Sequence, residues 1–107
     1  MKIKQISPKR FPSGDSYPLA MLKYDPDEFS ALCHLNFEED YDDLDYFLFA
    51  ALENCQIGQV VLLKYKNNAV KGTDVIVDSA VSVTEGLQAI QDALELKLDD
   101  VIWINPR

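Results

Sequence analysis

The chain has 107 residues, 48 % of them hydrophobic, which is enough for a core, and we expect residues 1–107 to form a single domain. Its formal net charge of −8 repels phosphate, so direct binding to nucleic acid is disfavoured and a basic protein partner is favoured. The apolar runs are far shorter than the roughly 20 residues of a membrane helix, and the basic first residues lack the apolar core of a secretory signal, so we expect no membrane binding and a cytoplasmic location.

The first predicted elements are a basic N-terminal segment and loop over residues 1–16 and a β-hairpin after them. Proline, glycine and serine interrupt residues 9–18, which is typical of a loop. Apolar and other residues alternate from Leu19 to Tyr24 and, after Asp25-Pro26-Asp27, again over residues 29–37. This pattern predicts a hairpin, with a short helix over residues 29–35 as the alternative.

The next segment, residues 42–54, is predicted to be an amphipathic helix with Asp40 or Asp42 as its N-cap. Its apolar residues recur at helical spacing, and they are Leu44, Phe47, Leu48, Ala51, Leu52 and Cys55. The acidic residues in its first turn would favour the positive end of the helix dipole.

The second half of the chain predicts a hairpin, a helix and a last strand. Residues 57–66 and 73–79 alternate as two strands, and Ser82 with Glu85 forms a capping-box pattern before a helix that ends near residue 96. Residues 101–104 predict a buried strand. The fold expected is an α+β two-layer sandwich in the order ββαββαβ, with two helices on one face of a mainly antiparallel sheet of about five strands. The strand at 73–79 could pair with the last one in parallel.

The segment from Glu38 to Asp45 contains six carboxylates in eight residues, and three interpretations compete for it. It could be a solvated helix start, a site for a hard cation, or a protein-binding face in which aromatic residues accompany the acids. A calcium loop counted from Asp40 would need Gly and Glu where Asp45 and Ala51 stand, so we predict no metal site. The predicted partner-binding residues are Asp25, Asp27, Glu38, Glu39, Asp40, Tyr41, Asp42, Asp43, Asp45, Tyr46 and Phe49.

No pattern in the chain encodes a catalytic centre or a cofactor site. Cys33 and His34 are adjacent, and on a strand they would point to opposite faces and could not form a catalytic pair. The four glycines lack a phosphate-binding spacing. We therefore predict no catalytic residue and no cofactor, and an enzyme is the less favoured class. The alternative function is a small-molecule site between the sheet and residues 9–18, with Tyr17 and His34 among its ligands.

In size, charge and predicted acidic helix, the chain resembles small acidic immunity proteins of the barstar type, whose partners are basic nucleases. The resemblance rests on these general properties and on no shared motif, so it assigns no residue. The function expected is that of a small interaction domain, of an immunity or inhibitor type, that binds a basic protein. A homodimer or larger homo-oligomer without a ligand is the third hypothesis.

Overall fold

The computed structural model describes residues 3–6, 15–41, 45–54 and 56–107, which form one sheet and two α-helices. The strands are β1 (Ile3–Gln5), β2 (Ser16–Leu22), β3 (Glu38–Tyr41), β4 (Tyr46–Asn54), β5 (Gly58–Tyr65), β6 (Thr73–Asp78) and β7 (Val101–Ile104). The helices are α1 (Pro26–Cys33) and α2 (Val83–Leu94), and a short 3-10 turn, Leu98–Asp100, precedes β7.

Every strand pair in the sheet is antiparallel, and the order across it is β1, β4, β5, β6, β2, β7. β3 also pairs with β4, on the side that β1 occupies, so β1 and β3 follow one another along the same edge. Gln5 of β1 is bonded to Asn36, which lies just before β3. Its side chain donates to the Asn36 carbonyl and accepts from the Asn36 N–H at 2.9 Å. β3 and β7 therefore lie at opposite edges of the sheet.

The main core lies on the side of the sheet that both helices cover. There Phe29 of α1 and Ile90 of α2, each 1 % exposed or less, pack with apolar side chains of β2, β4, β5 and β6. A second buried cluster lies on the other side of the sheet and consists of Phe47, Phe49, Val61 and Leu63. β4 and β5 are thus apolar on both sides, as strands in the middle of a sheet are.

Local sequence explains where each helix begins. Asp25 is the N-cap of α1, Pro26 occupies its first turn, and the Glu28 carboxylate accepts from the Asp25 N–H at 3.0 Å. For α2, the Ser82 hydroxyl accepts from the Glu85 N–H at 3.1 Å, which satisfies an otherwise unpaired helix amide.

The α+β fold and the number of helices, two, are confirmed, as are the antiparallel hairpin of β5 and β6 and the helix that Ser82 caps. No helix in the described part of the chain is long and apolar enough to cross a membrane.

Two predicted elements are wrong. The helix over residues 42–54 is instead strand β4 from Tyr46 onward, and the second strand of the first hairpin is instead helix α1, the alternative for that segment. Seven consecutive apolar residues from Tyr46 to Leu52 satisfy a helical stripe and a two-sided strand equally well, and tertiary packing decides between them.

The predicted strand count and the place of the last strand are also corrected. The order of elements is ββαββββαβ, and β7 pairs antiparallel with β2, which separates it from β6. β7 is an edge strand with exposed side chains rather than a buried one, because no described strand lies beyond it.

Candidate functional site

Strand β3 carries part of the acidic segment along an open edge of the sheet. All of its residues are exposed, and among the described strands it pairs with β4 alone. Glu38 and Asp40 lie opposite Phe49 and Phe47, whereas Glu39 lies on the other side of the strand. These acids are therefore distributed over both sides of an extended edge and do not crowd the start of a helix.

Asp25 has a structural role inside the protein. Its carboxylate accepts from Lys64 Nζ at 2.7 Å and from the Gly72 N–H at 2.9 Å. A Cβ on Gly72, whose φ is 142°, would lie 2.7 Å from the Leu22 carbonyl oxygen, so glycine is required for this approach. Burial acts to raise the pKa of Asp25, but the hydrogen bonds from Lys64 and Gly72 outweigh it and hold the pKa below its ordinary value.

Two further acids of the region are paired with lysines of the same chain. Glu28 lies 3.0 Å from Lys71, and its bond from the Asp25 N–H, together with this lysine, lowers its pKa. Glu39 lies 2.8 Å from Lys66, with both side chains about half exposed. The second pair stabilises the fold only slightly, since exposed ion pairs contribute about 0–1 kcal/mol, and a partner could displace it.

The acids that remain outward are Asp27, Glu38 and Asp40, which are exposed and form no ion pair within the described residues. Beside them, Tyr41 and Tyr46 are 70 % and 54 % exposed, and their ring centroids are 5.6 Å apart. Exposed tyrosine pairs next to unpaired charge are typical of protein-binding surfaces. We call the surface formed by Glu38, Asp40, Tyr41 and Tyr46 the β3 edge.

The other predicted partner-binding residues are distributed differently. Asp42 and Asp43 lie outside the described residues. Asp45 accepts a hydrogen bond from the Asn67 N–H at 3.0 Å, which ties it to the turn after β5. Phe49, predicted to accompany the acids on a binding face, is 7 % exposed and belongs to the second cluster, so its side chain is buried.

Tyr17 and His34, named for a small-molecule site, are not brought together. Tyr17 is buried, and its hydroxyl donates to the Val81 carbonyl at 2.6 Å. His34 is exposed in the left-handed conformation that ends α1, and with Asp27 and Ser30 it lines a concavity of about 570 Å³. Tyr17 does not line that concavity. Residues 9–14 of the predicted loop lie outside the described residues.

The strand geometry assumed for Cys33 and His34 does not apply, because Cys33 is the last residue of α1. Burial raises the pKa of the Cys33 thiol, which makes it a poor nucleophile near neutral pH. Within the ranges that the structure describes, no group of three His, Cys, Asp or Glu side chains could hold a metal ion.

The sequence prediction missed one exposed apolar surface, which is β7. Ile102, Trp103 and Ile104 are 49 %, 43 % and 38 % exposed. A continuous apolar run is typical of a buried strand, and nothing in its composition shows that the sheet ends there. Only strand order, which depends on the whole fold, places these residues at an edge.

Comparison with family models, curated proteins and solved structures finds no match to this chain.

Proposed function

We propose that this chain is an interaction domain whose β3 edge binds a basic protein partner. The observation that supports the proposal is an open edge strand on which every residue is exposed and two acids, Glu38 and Asp40, form no ion pair with a described lysine or arginine. The open side of an edge strand offers backbone donors and acceptors to an extended segment of another protein, and the side chains beside them select that segment.

The register of β3 specifies the chemistry of the incoming segment. Glu38 and Asp40 project to one side of the strand, so a segment paired with β3 would place lysine or arginine at alternate positions on that side. Tyr41 and Tyr46 lie together on the other side, where they would contact an apolar or aromatic residue. The net charge of −8 would accelerate the encounter with such a partner.

An immunity-type inhibitor that covers the basic surface of a nuclease is one form of this function. The charge of the chain and its outward acids support it. The resemblance to the barstar type included a predicted acidic helix over residues 42–54. Residues 46–54 of that segment form strand β4 instead, so the proposal rests on β3.

The test begins with affinity capture from the native host to identify a partner, followed by binding kinetics with the purified proteins. Glu38→Gln combined with Asp40→Asn should lower the association rate about tenfold and flatten its dependence on salt. The matched control, Glu85→Gln with Asp92→Asn, removes the same charge from exposed positions of α2 and should change the rate much less. Equal losses in the two double variants would show that net charge, and not the β3 edge, attracts the partner.

A second candidate function is small-molecule binding in the concavity beside His34. Its volume of about 570 Å³ is within the range of ligand sites, and Asp27, Ser30 and His34 supply polar groups. A thermal-shift screen against metabolites tests it, because a true ligand should raise the melting temperature of the wild type and not that of His34→Ala. A screen in which no compound stabilises the wild type would exclude this candidate for the compounds screened.

A further inference from the structure

A groove lies between the C-terminal ends of the two α-helices. Its volume is about 570 Å³, and its lining includes Leu32 and Cys33 of α1, Leu94 of α2 and the Tyr24 side chain. That volume is within the range of small-molecule sites. The groove shares no lining residue with the concavity beside His34 or with the β3 edge, so it is a separate candidate site.

The walls of the groove are largely apolar. Ala93 and Leu94 are buried at 2 % and 6 % exposure, whereas Leu32 on the α1 side is 61 % exposed. Tyr24 adds a partly buried aromatic ring. An apolar group that entered the groove would remove Leu32 from water, which favours binding.

Both helices contribute negative charge to the groove. The last carbonyls of a helix have no partner within it and form the negative end of the helix dipole. Helices commonly place lysine or arginine in the last turn to offset this charge, but α1 and α2 have neither there. At the end of α2 the groove is lined instead by two acids, Asp92 and Glu95. The groove is therefore electronegative.

The two carboxylates are not neutralised within the described part of the chain, where neither forms an ion pair. Asp92 accepts a hydrogen bond from the neutral amide of Gln88 at 3.1 Å. Glu95 ends α2 in the left-handed conformation, with φ of 57°, where glycine is the usual residue. Burial, and then the charge of Glu95, raise the pKa of the Cys33 thiol, so this carboxylate lies near the opposite wall.

The lysines beside the groove do not offset these acids. Lys23 Nζ is 5.2 Å from the centroid of the Tyr24 ring, but it is paired with the Asp100 carboxylate at 2.9 Å. Lys97, two residues after Glu95, is exposed and forms no ion pair with a described acid. A cation from outside the chain would thus meet uncompensated negative charge at this site.

We propose that the groove binds an organic ammonium ion, a protonated amine that carries an apolar chain. The ammonium group would donate hydrogen bonds to the Asp92 and Glu95 carboxylates, and the chain would contact Leu32 and Leu94. An alcohol with the same chain gains only the apolar contact, whereas a carboxylate is repelled by the two acids and the helix ends. The proposal does not rest on the binding of a basic protein at β3.

Nuclear magnetic resonance titration of the isotope-labelled full chain tests the site with hexylammonium, hexanol and hexanoate, which share one apolar chain. Hexylammonium should cause saturable shifts in the backbone amides of Leu32, Cys33, Leu94 and Glu95. Hexanol should bind roughly tenfold more weakly, because it lacks the charge, and hexanoate should not bind. The absence of saturable shifts at these amides with hexylammonium, or equal affinity for either other compound, would overturn the proposal.

A double variant tests the role of the two carboxylates. Asp92→Asn with Glu95→Gln should abolish the tenfold preference for hexylammonium over hexanol and leave the affinity for hexanol unchanged. The matched control, Glu38→Gln with Asp40→Asn, removes the same charge from the β3 edge and should keep the preference. An unchanged preference in the first variant, or an equal loss in both, would show that the groove acids do not select the ammonium group.

Leu32→Ala tests the apolar wall separately from the charge. It should weaken the binding of hexylammonium and of hexanol alike by roughly threefold, since both compounds use the same apolar contact. Unchanged affinities would contradict the placement of the chain against α1. If the groove amides instead shift with protein concentration when no amine is present, a second copy of the chain occupies the groove, and the proposal is wrong.

Discussion

β3 and β7 end the same sheet at opposite edges with opposite chemistry. Three of the four residues of β3 are acidic, whereas all four of β7 are apolar. Both strands are short and open on one side within the described residues. Like charges oppose the pairing of β3 with a copy of itself, whereas the side chains of β7 carry no charge. The two edges therefore present different side chains on the same type of strand backbone.

The largest effect on stability should come from Asp25, which is an anchor near the β3 edge and not part of a free acidic surface. Asp25→Ala leaves the Gly72 N–H and Lys64, whose side chain is 16 % exposed, without the carboxylate that accepts from both. We expect a loss of about 2–3 kcal/mol in the free energy of unfolding by urea. Asp27→Ala, at the neighbouring exposed position, should change it by less than about 0.5 kcal/mol. Similar losses in the two variants would show that Asp25 has no structural role and is one of the outward acids.

A smaller effect is expected in the pH dependence of stability, and it concerns the edge formed by β7. Asp100, just before β7, accepts from Lys23 Nζ at 2.9 Å and from the Lys97 N–H at 2.9 Å, and these bonds lower its pKa. Its ionised form therefore stabilises the fold above its ordinary pKa of about 3.9, and this stabilisation is lost as the pH falls through the lower folded value. Asp100→Asn should be less stable than the wild type at pH 7, with a smaller difference in acid.

Asp74 provides a comparison of opposite sign, because burial raises its pKa. Its ionised form disfavours the fold, so Asp74→Asn should be more stable than the wild type near pH 7, and that advantage should vanish as the pH falls below the ordinary pKa of the carboxyl group. Urea unfolding from pH 3 to pH 7 measures both variants. A parallel pH dependence for the two would contradict the assigned pKa shifts.

The smallest effect on folding, and the most direct test of the two edges, is to make β3 resemble β7. Glu38→Ile combined with Asp40→Ile changes two exposed positions, so the free energy of unfolding should shift by less than about 0.5 kcal/mol per site. The variant should nevertheless self-associate, since the like charges that oppose pairing are gone. Light scattering of this variant and of the wild type at equal concentration measures the difference. A monomeric variant would show that charge is not what keeps β3 unpaired.

Prediction from the sequence succeeded where a local signal determines the structure. Ser82 and Glu85 identified the start of α2, and the alternation of Val60, Leu62 and Val75 with their neighbours identified the β5–β6 hairpin. In these segments the hydrophobic period and the capping or turn residues indicate the same structure, so tertiary packing does not have to decide between two alternatives.

The two wrong elements had different causes. Over Tyr46–Asn54 the apolar residues fit both a helix and a strand that is buried on both sides. The strand is favoured only because β4 lies between β5 on one side and β1 and β3 on the other. Asp25-Pro26-Asp27-Glu28, in contrast, contained a usable signal. An N-cap, a first-turn proline and a glutamate that reaches back are typical of a helix start, and the interpretation as a hairpin turn overlooked them.

The candidate site was predictable in composition but not in arrangement. The sequence shows that Glu38, Asp40, Tyr41 and Tyr46 are close along the chain, yet the lysines that neutralise Asp25 and Glu39 come from β5 and the residue after it. Which acids stay outward depends on strand pairing, and so does the exposure of β7.

The hydrogen bonds between Gln5 and Asn36 couple β1 to the chain that leads into β3. A bound segment long enough to continue past β3 would run alongside β1, because both strands occupy the same side of β4. Binding should then slow hydrogen–deuterium exchange at the amides of Ile3–Gln5 as well as those of β3, since the short first strand would no longer open independently. Binding at β3 would in this way also slow the opening of the backbone of β1, although the two strands are far apart in the sequence.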